Sequence, residues 1–184
     1  MKIIVGISGG SGAIYALGIL QGLKELNIET HLVVSNMGEY VVNHECGVSL
    51  DELKKMASFY YENYDLAAPI ASGSFKTDGM IIVPCSMKTL ASITMGYSDS
   101  LLTRAADVCI KDRRRLVILP RETPLSSIHL ENMLKLSNLG VSIMPPTPGF
   151  YNHPQNISDI VTSIVGRALD QLDIEHSLLQ RWGE

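Results

Sequence analysis

The sequence has few cysteines, no long apolar run and no excess of basic residues. Its three cysteines, Cys46, Cys85 and Cys109, are odd in number and widely spaced. This excludes a disulfide framework and a zinc knuckle, and it predicts reduced, mostly buried thiols. No apolar run reaches the about 18 residues that a transmembrane helix needs, and no signal-peptide core precedes the first glycine-rich turn. These absences predict a cytoplasmic protein without a membrane segment.

Charge and composition restrict the function further. The 19 acidic residues outnumber the 15 basic ones, for a net charge of −4. This balance argues against a nucleic-acid or anionic-membrane surface, so any anion site must be local. The five histidines show no metal-ligand spacing such as HExxH, so we expect no structural or catalytic metal. With 184 residues, 46% hydrophobic and 18% charged, the chain is expected to form one globular domain over residues 1–184.

Short apolar segments alternate with helical patterns along the chain. Because these segments lack a period-2 pattern, they are expected to be strands buried on both faces of a parallel sheet. The sequence thus predicts an α/β fold: a three-layer Rossmann-like or flavodoxin-like domain with a mostly parallel sheet. Pro, Gly and Ser cluster at 67–77 and 145–154, which predicts two loops of a length that is often functional. A final helix is expected over 157–172, and strands are expected over 2–8, 29–35, 80–84, 115–120 and 141–144.

The first predicted strand ends in the glycine-rich turn GISGGSG, residues 6–12. At such a turn, backbone N–H groups and a helix N-terminus attract phosphate, so a phosphate-bearing ligand is expected here. The turn lacks the G-x-G-x-x-G spacing and a P-loop lysine, so a simple tight turn is the alternative. Capping of the next helix would explain Ser11 equally well.

A second polar segment, PCSMKT, follows the third predicted strand at residues 84–89. It falls at the carboxyl edge of the sheet, where α/β proteins bind ligands, although capping explains Ser86 and Thr89 as well. Arg121 follows another strand at the same edge, whereas a solvated helix face is the default for the basic residues at 104–115. Taken singly, the other polar candidates are ordinary surface or loop residues: Glu45, Tyr151 and Arg167.

Taken together, these segments resemble the UbiX-type flavin prenyltransferases, formerly described as the small subunit of aromatic acid decarboxylases. PRETPLSSIHLENM combined with PGFY is the most specific part of the resemblance, which covers almost the whole chain. At Gly10 the sequence departs from the many members that carry Ala, and we expect a slightly looser turn that still binds. The resemblance rests on GISGGSGAIYA, HLVVS, HEC, ASGSF, PCSMKTLA, LLTRAADVCIKDRRRLVILPRETPLSSIHLENMLKLSNLG, PPTPGFYNHPQ and the terminal RWG.

The resemblance implies transfer of a dimethylallyl group from dimethylallyl phosphate, or from its diphosphate, to N5 and C6 of reduced FMN, without a metal. It implies that a separate aromatic acid decarboxylase uses the prenylated FMN. It also implies a homo-oligomer, since family members form dodecamers with sites at subunit interfaces. The residues implied to hold FMN are Gly9, Gly10, Ser11, Ser35, Ser86, Met87, Lys88, Thr89 and Arg121. Those implied to surround the prenyl phosphate are Lys111, Glu122, Tyr151 and Arg167, with Ser72, Gly73 and Arg104 close by.

This reaction explains the residue types. Loss of phosphate builds negative charge on the leaving oxygen and positive charge on the C5 unit, so fixed cations and a proton donor lower the barrier. The flavin π-face can shelter the allyl cation. Lys111 and Glu122 are therefore expected to be catalytic on the phosphate side. Ring closure at C6 releases a proton, for which Glu45 is the candidate acceptor, directly or through Ser11.

Two other functions stay open on the sequence. One is a flavin-dependent cysteine decarboxylase of the related homo-oligomeric flavoproteins, which carry a catalytic His and an Asn-bearing loop where PCSMKT stands; neither is found here. The other is a non-catalytic flavin carrier, which would have no use for Lys111, Tyr151 and Arg167. Incubation with dimethylallyl phosphate and reduced FMN discriminates all three.

Overall fold

The computed structural model describes residues 1–179, so the terminal RWG segment lies outside the described residues. Six strands form one sheet with parallel pairing throughout, in the order β3-β2-β1-β4-β5-β6. The strands are β1 (Lys2–Ile7), β2 (Glu29–Val34), β3 (Phe59–Glu62), β4 (Gly79–Cys85), β5 (Arg115–Pro120) and β6 (Ser142–Ile143). The helices are α1 (Ala13–Glu25), α2 (Asn36–Cys46), α3 (Leu50–Lys54), α4 (Met87–Thr94), α5 (Leu101–Lys111), α6 (Ser127–Asn138) and α7 (Ile157–Gln171).

Two apolar cores cover the two faces of the sheet. On one face, α1 and α7 pack over Val5 and Ile81. On the other face, α4 and α5 pack over Ile4 and Ile82. Because neighbouring residues of one strand enter opposite cores, these strands are apolar throughout and lack a period-2 pattern. The predicted three-layer α/β fold is confirmed.

The predicted elements agree closely with the structure, with one exception. The five predicted strands and the final helix are confirmed to within one residue at each end. The Asn156 side chain caps that helix by accepting from the Asp159 amide at 3.0 Å. The 67–77 loop contains only a 3-10 turn, Pro69–Ala71, and 145–154 contains no helix or strand. Strand β3 was not predicted, because it is a four-residue edge strand whose side chains are all at least partly exposed.

The strand order places a topological switch point between β1 and β4. In doubly wound sheets, ligands bind in the crevice outside the carboxyl ends of the strands at such a point. Ser8, 1% exposed, joins the two strand ends here. Its hydroxyl donates to the Pro84 carbonyl at 3.0 Å and accepts from the Ser86 amide at 2.8 Å. The strand order therefore predicts a ligand-binding site at the carboxyl edge of the sheet.

Candidate active site

A cavity of about 570 Å³ opens at this edge. Its walls come from the loops after β1, β2 and β4, from the end of β3 and from the segment before α5. Half of its lining belongs to the FMN set implied by the sequence. The lining residues are Gly9, Ser35, Asn36, Met37, Asn63, Tyr64, Ser86, Lys88, Thr89 and Asp99.

Two helices begin at the cavity wall. The Ser35 hydroxyl caps α2 by accepting from the Gly38 amide at 3.0 Å. The Ser86 hydroxyl caps α4 by accepting from the Thr89 amide at 3.3 Å, and it donates to the Thr89 hydroxyl at 3.1 Å. Helix N-termini carry partial positive charge, and Lys88 adds a full one beside them. This combination of amides, hydroxyls and one cation suits a single phosphate group.

The glycine turn approaches α2 closely. A Cβ on Gly9 would lie 2.6 Å from Met37 Cβ, a distance that real Cβ atoms do not reach. Only glycine lets these two walls of the cavity meet. At Gly10 a Cβ would lie 3.3 Å from Pro84 Cβ, so the alanine of many family members needs a shift of only a few tenths of an ångström.

Glu45 belongs to the last turn of α2, and its side chain reaches the start of α1. Its Oε2 accepts from the Gly12 amide at 2.9 Å and the Ala13 amide at 2.8 Å. Gly12 adopts φ 104°, a left-handed conformation that favours glycine. Glu45 is exposed, as expected of a surface residue, but it is not isolated, because the start of α1 binds its carboxylate. Since the first amides of α1 bind this carboxylate, a phosphate is directed to the starts of α2 and α4 rather than to α1.

The surroundings of Glu45 favour its charged form. Partial burial opposes ionisation, yet hydrogen bonds from the Ser11 hydroxyl and from the two α1 amides hold the pKa of Glu45 below its usual value. The positive charge of Arg121 acts in the same direction. The Arg121 amide donates to the Cys85 carbonyl at 3.1 Å, which holds Arg121 beside the end of β4. Ser11, Glu45 and Arg121 thus form one polar group at the carboxyl edge, with an ionised carboxylate able to accept a proton.

Four residues assigned to the prenyl phosphate line a second depression, of about 790 Å³. It lies at the C-terminal end of α5 and the start of β4 and β5, on the amino edge of the sheet. The Asn63 carbonyl, in the first cavity, accepts from the Leu101 amide at the start of α5. Lys111 is ten residues further along the helix, or about 15 Å, and so lies far from the first cavity, whereas Arg104 is within one turn of the start of α5. The four residues are Ser72, Gly73, Arg104 and Lys111.

The other assigned residues are dispersed. Glu122 is exposed and accepts from the Thr123 amide at 3.0 Å. Arg167 lies on α7 beside β6 in a third depression and pairs with Asp170 at 3.4 Å. Tyr151 is 65% exposed in the 145–154 loop. Met87 is half-buried and packs against the core under α4. One chain therefore brings five of the nine FMN residues to one cavity and four of the seven prenyl-phosphate residues to another, while Glu122, Tyr151 and Arg167 lie elsewhere.

Five of the residues that line the cavity were not predicted from the sequence. Asn63 caps α5 with both its oxygens, since its carbonyl accepts from Leu101 at 2.7 Å and its Oδ1 from Leu102 at 3.1 Å. Tyr64 is 81% exposed at the rim of the cavity. Both follow β3, so recognition of that strand would have identified them. The remaining three are Asn36, Met37 and Asp99.

No cysteine lines this cavity, and the described residues contain no cluster suited to a metal ion. Cys85 and Cys109 are buried and Cys46 is half-buried, all as free thiols. Burial raises the pKa of the Cys109 thiol to about 12, so it stays neutral. Residues 1–179 contain no group of three or more His, Cys, Asp or Glu side chains that could hold a metal ion. No helix in the same residues is long and apolar enough to cross a bilayer.

A doubly wound sheet with a phosphate-type cavity at its switch point defines a nucleotide-binding α/β protein, and the comparisons narrow this class. A family model described as Flavoprotein matches residues 1–169. A flavin prenyltransferase UbiX from Methanocaldococcus jannaschii is 53% identical over 183 residues, covering 100% of this chain and 99% of that protein. The chain therefore belongs to the flavoprotein family and, within it, to the UbiX flavin prenyltransferases.

Solved structures agree with this assignment. The crystal structure of a dodecameric FMN-dependent UbiX-like decarboxylase from Escherichia coli O157:H7 has a TM-score of 0.97 and 51% identity, covering 100% of both chains. AnUbiX (PadA1), solved in complex with FMN and dimethylallyl pyrophosphate, has a TM-score of 0.97 and 45% identity, covering 100% of this chain and 97% of that one. The peptidyl-cysteine decarboxylase EpiD, at 20% identity and a TM-score of 0.63, shares the fold alone.

Proposed function

We propose that this protein is a metal-independent prenyltransferase that joins a dimethylallyl group, taken from dimethylallyl phosphate or its diphosphate, to N5 and C6 of reduced FMN. The structural observation that carries the proposal is the cavity at which α2 and α4 begin beside Lys88. Family membership supplies the reaction class, and the AnUbiX complex shows that a relative of 45% identity binds both FMN and a prenyl donor.

The residues of the carboxyl-edge cavity fit FMN. Ser35, Ser86 and Thr89 offer hydroxyls and Lys88 an ammonium for its phosphate, and the close packing at Gly9 keeps side chains out of the turn. Bound FMN supplies the two ring atoms that accept the C5 unit. The other members of the set are not in the lining of this cavity: Gly10, Ser11 and Arg121 follow β1 and β5 at the same edge of the sheet, and Met87 packs against the core under α4.

Glu45 is the proton acceptor of the proposal. Its carboxylate is fixed by the two α1 amides and by the Ser11 hydroxyl, so both its position and its charge are set before substrate binds. Because Ser11 both donates to Glu45 and can accept from a substrate, it is suited to relay the proton released on ring closure. Arg121 keeps the carboxylate ionised.

On the prenyl-phosphate side, we infer that neighbouring copies complete the site. Lys111 lies at the amino edge of the sheet, whereas Glu122 follows β5 at the carboxyl edge, so we infer that a second copy brings them to one phosphate. Helix α6 supports such contacts, since Ile128, Leu130 and Leu134 are 65%, 52% and 62% exposed. A helix that is apolar on several sides is normally buried. We therefore extend the dodecameric assembly of the E. coli relative to this protein.

The product would be consumed by a separate enzyme. In the proposal, FMN and the prenyl donor occupy the site together, and the sequence shows no separate acid and base pair for an aromatic acid. We propose that prenylated FMN is released to a larger, separate decarboxylase of aromatic acids.

The mass of the flavin tests the reaction. Protein, FMN, dithionite and dimethylallyl phosphate are incubated without oxygen, and the flavin is extracted and weighed by mass spectrometry. A flavin heavier by one C5H8 unit is expected, with omission of the donor as control. Recovery of unmodified FMN after prolonged incubation with either donor would refute the proposal.

Mixed oligomers test the shared site. Glu45→Gln and Lys111→Met are each expected to be nearly inactive. If the two residues of one site come from different copies, reassembly of an equal mixture restores about a quarter of the sites. If one copy supplies both residues, the mixture stays as inactive as its components.

A further inference from the structure

The side chain of Arg114 is nine-tenths buried behind the loop of residues 72–77. Its Nη1 donates to the Phe75 carbonyl at 2.8 Å and to Thr77 Oγ1 at 3.0 Å. Its Nη2 donates to the Gly73 carbonyl at 2.6 Å and to Asp112 Oδ2 at 2.8 Å. Since a guanidinium carries its donors in a rigid planar fork, this one side chain fixes the loop at three points.

Asp112 connects Arg114 to Lys111. Its Oδ1 accepts from Lys111 Nζ at 2.7 Å, while its Oδ2 faces Arg114. The hydrogen bond from Lys111 and the charges of both cations hold the pKa of Asp112 below its usual value. The ionised carboxylate of Asp112 thus bridges the buried guanidinium of Arg114 and the half-exposed ammonium of Lys111.

Gly73 shows how closely the loop meets this pair. A Cβ at Gly73 would lie 2.6 Å from Asp112 Oδ2 and 2.9 Å from Lys111 Nζ. The backbone of the loop therefore packs directly against the Lys111 ammonium. The hydrogen bonds of Arg114 and Asp112 thus connect the position of the 72–77 loop to that of Lys111.

We propose that Arg114 is a positioning residue for the prenyl donor: it holds the 72–77 loop and, through Asp112, the Lys111 ammonium in the arrangement that the donor phosphate meets. This inference rests on the proposed function. Arg114 lines the same depression, but both its Nη atoms are already engaged by the loop and by Asp112, so it acts through Gly73 and Asp112. Preorganisation of a binding group in this way lowers the cost of ordering it on binding.

Two variants of Arg114 test the inference in the FMN-loaded protein. Arg114→Lys keeps the charge but replaces the planar fork by one ammonium, which cannot reach all four acceptors. We expect the KM for dimethylallyl phosphate to rise about tenfold, while the dissociation constant of FMN changes less than twofold. Amide hydrogen exchange is expected to rise in residues 72–77 and to stay unchanged in α1 and α7. In Arg114→Ala, millimolar guanidinium ion is expected to restore part of the lost donor affinity.

Arg115→Gln is the matched control. The Arg115 side chain pairs with Asp173 at 2.7 Å on the surface and is half-exposed, so its loss should change neither donor KM nor exchange in the loop. Parallel losses of FMN and donor affinity in Arg114→Lys, or raised exchange throughout the protein, would show a merely structural role and overturn the inference.

Lys111→Met separates this inference from the proposed function. If Lys111→Met raises the donor KM and Arg114→Lys does not, only the role of Arg114 is wrong. If Lys111→Met leaves the donor KM unchanged, the assignment of Lys111 fails and the inference fails with it. Absence of prenylated flavin from the wild-type reaction would refute both.

Discussion

Replacing Glu45 by Gln removes one charge from the start of α1 and leaves the side chain nearly the same size. The amide oxygen can still accept from Gly12 or Ala13, but charge-assisted hydrogen bonds are about twice as strong as neutral ones. A carboxylate at a helix N-terminus contributes about 0.3–1 kcal/mol at an exposed site. Because Glu45 is largely exposed, we expect Glu45→Gln to cost about 1 kcal/mol. That corresponds to a decrease in Tm of about 2–4 °C for a chain of this size.

The pH dependence of this effect has a definite sign. The pKa of Glu45 is lowered in the folded protein from its ordinary value of 4.5. Its contribution is therefore present at neutral pH and is lost as the pH falls through the folded pKa. The difference in Tm between wild type and Glu45→Gln should be full at pH 7 and should shrink below pH 4.5. Glu131→Gln, an exposed change beyond the first turn of α6, is the control.

The same variant tests catalysis, since Gln cannot accept the proton released on ring closure. Glu45→Gln should keep FMN bound and slow ring closure by about 10²–10⁴-fold. Anaerobic stopped-flow spectra after mixing with dimethylallyl phosphate measure this step. Wild-type rates together with the lowered Tm would show that Glu45 only caps α1, and would refute the catalytic role.

Other parts of the site give further predictions. FMN should bind more tightly than FAD by calorimetry, because the lining of the carboxyl-edge cavity carries one cation, Lys88, for one phosphate group; equal affinities would contradict this. Gly9→Ala should abolish FMN binding by forcing α2 away, whereas Gly10→Ala should bind nearly as wild type, as flavin fluorescence titration can establish. Arg167→Ala and Tyr151→Phe should weaken dimethylallyl phosphate far more than FMN, and Arg167→Ala more strongly, since hydrogen bonds to charged groups contribute about 1.5–3 kcal/mol; parallel losses of both ligands would indicate a structural role. Without an added apo-decarboxylase, the protein with FMN, reductant and dimethylallyl phosphate should release no carbon dioxide from phenolic acids; release at a rate that the apo-enzyme does not change would restore the decarboxylase alternative.

The sequence predicts those parts of the fold whose signal is local. Central strands such as β1 and β4 are buried on both faces, so they read as apolar runs, and the turn residues that follow them cap the next helices. Ser86 could be predicted as a candidate site residue for this reason, whereas Ser35 was implied only by the family resemblance. Strand β3 lies at the edge with its aromatic side chains partly in water, so no apolar run marks it. Asn63 and Tyr64 were missed with it.

Contacts between distant segments were beyond the sequence pattern. Glu45 lies near the end of α2. Its contact with the start of α1 spans 33 positions of sequence, so it depends on the angle at which α2 leaves β2. Nothing in HEC itself indicates that its carboxylate meets two amides. Likewise, the run of arginines at 113–115 gives no sign that Arg114 is enclosed while Arg113 and Arg115 are exposed.

The net charge of the sequence does not indicate the cationic residues of the proposed donor side, because each of them has an acidic residue close to it. Lys111 pairs with Asp112 at 2.7 Å, and the other two pairs are Arg104–Asp107 at 2.8 Å and Arg167–Asp170 at 3.4 Å. Partly exposed pairs of this kind contribute only about 0–1 kcal/mol each. A donor phosphate that carries two charges can therefore compete for these cations at little cost, while Asp112 stays fixed to Arg114 through its Oδ2 at 2.8 Å. Pairing with nearby carboxylates thus keeps the proposed donor side nearly neutral until the donor phosphate binds.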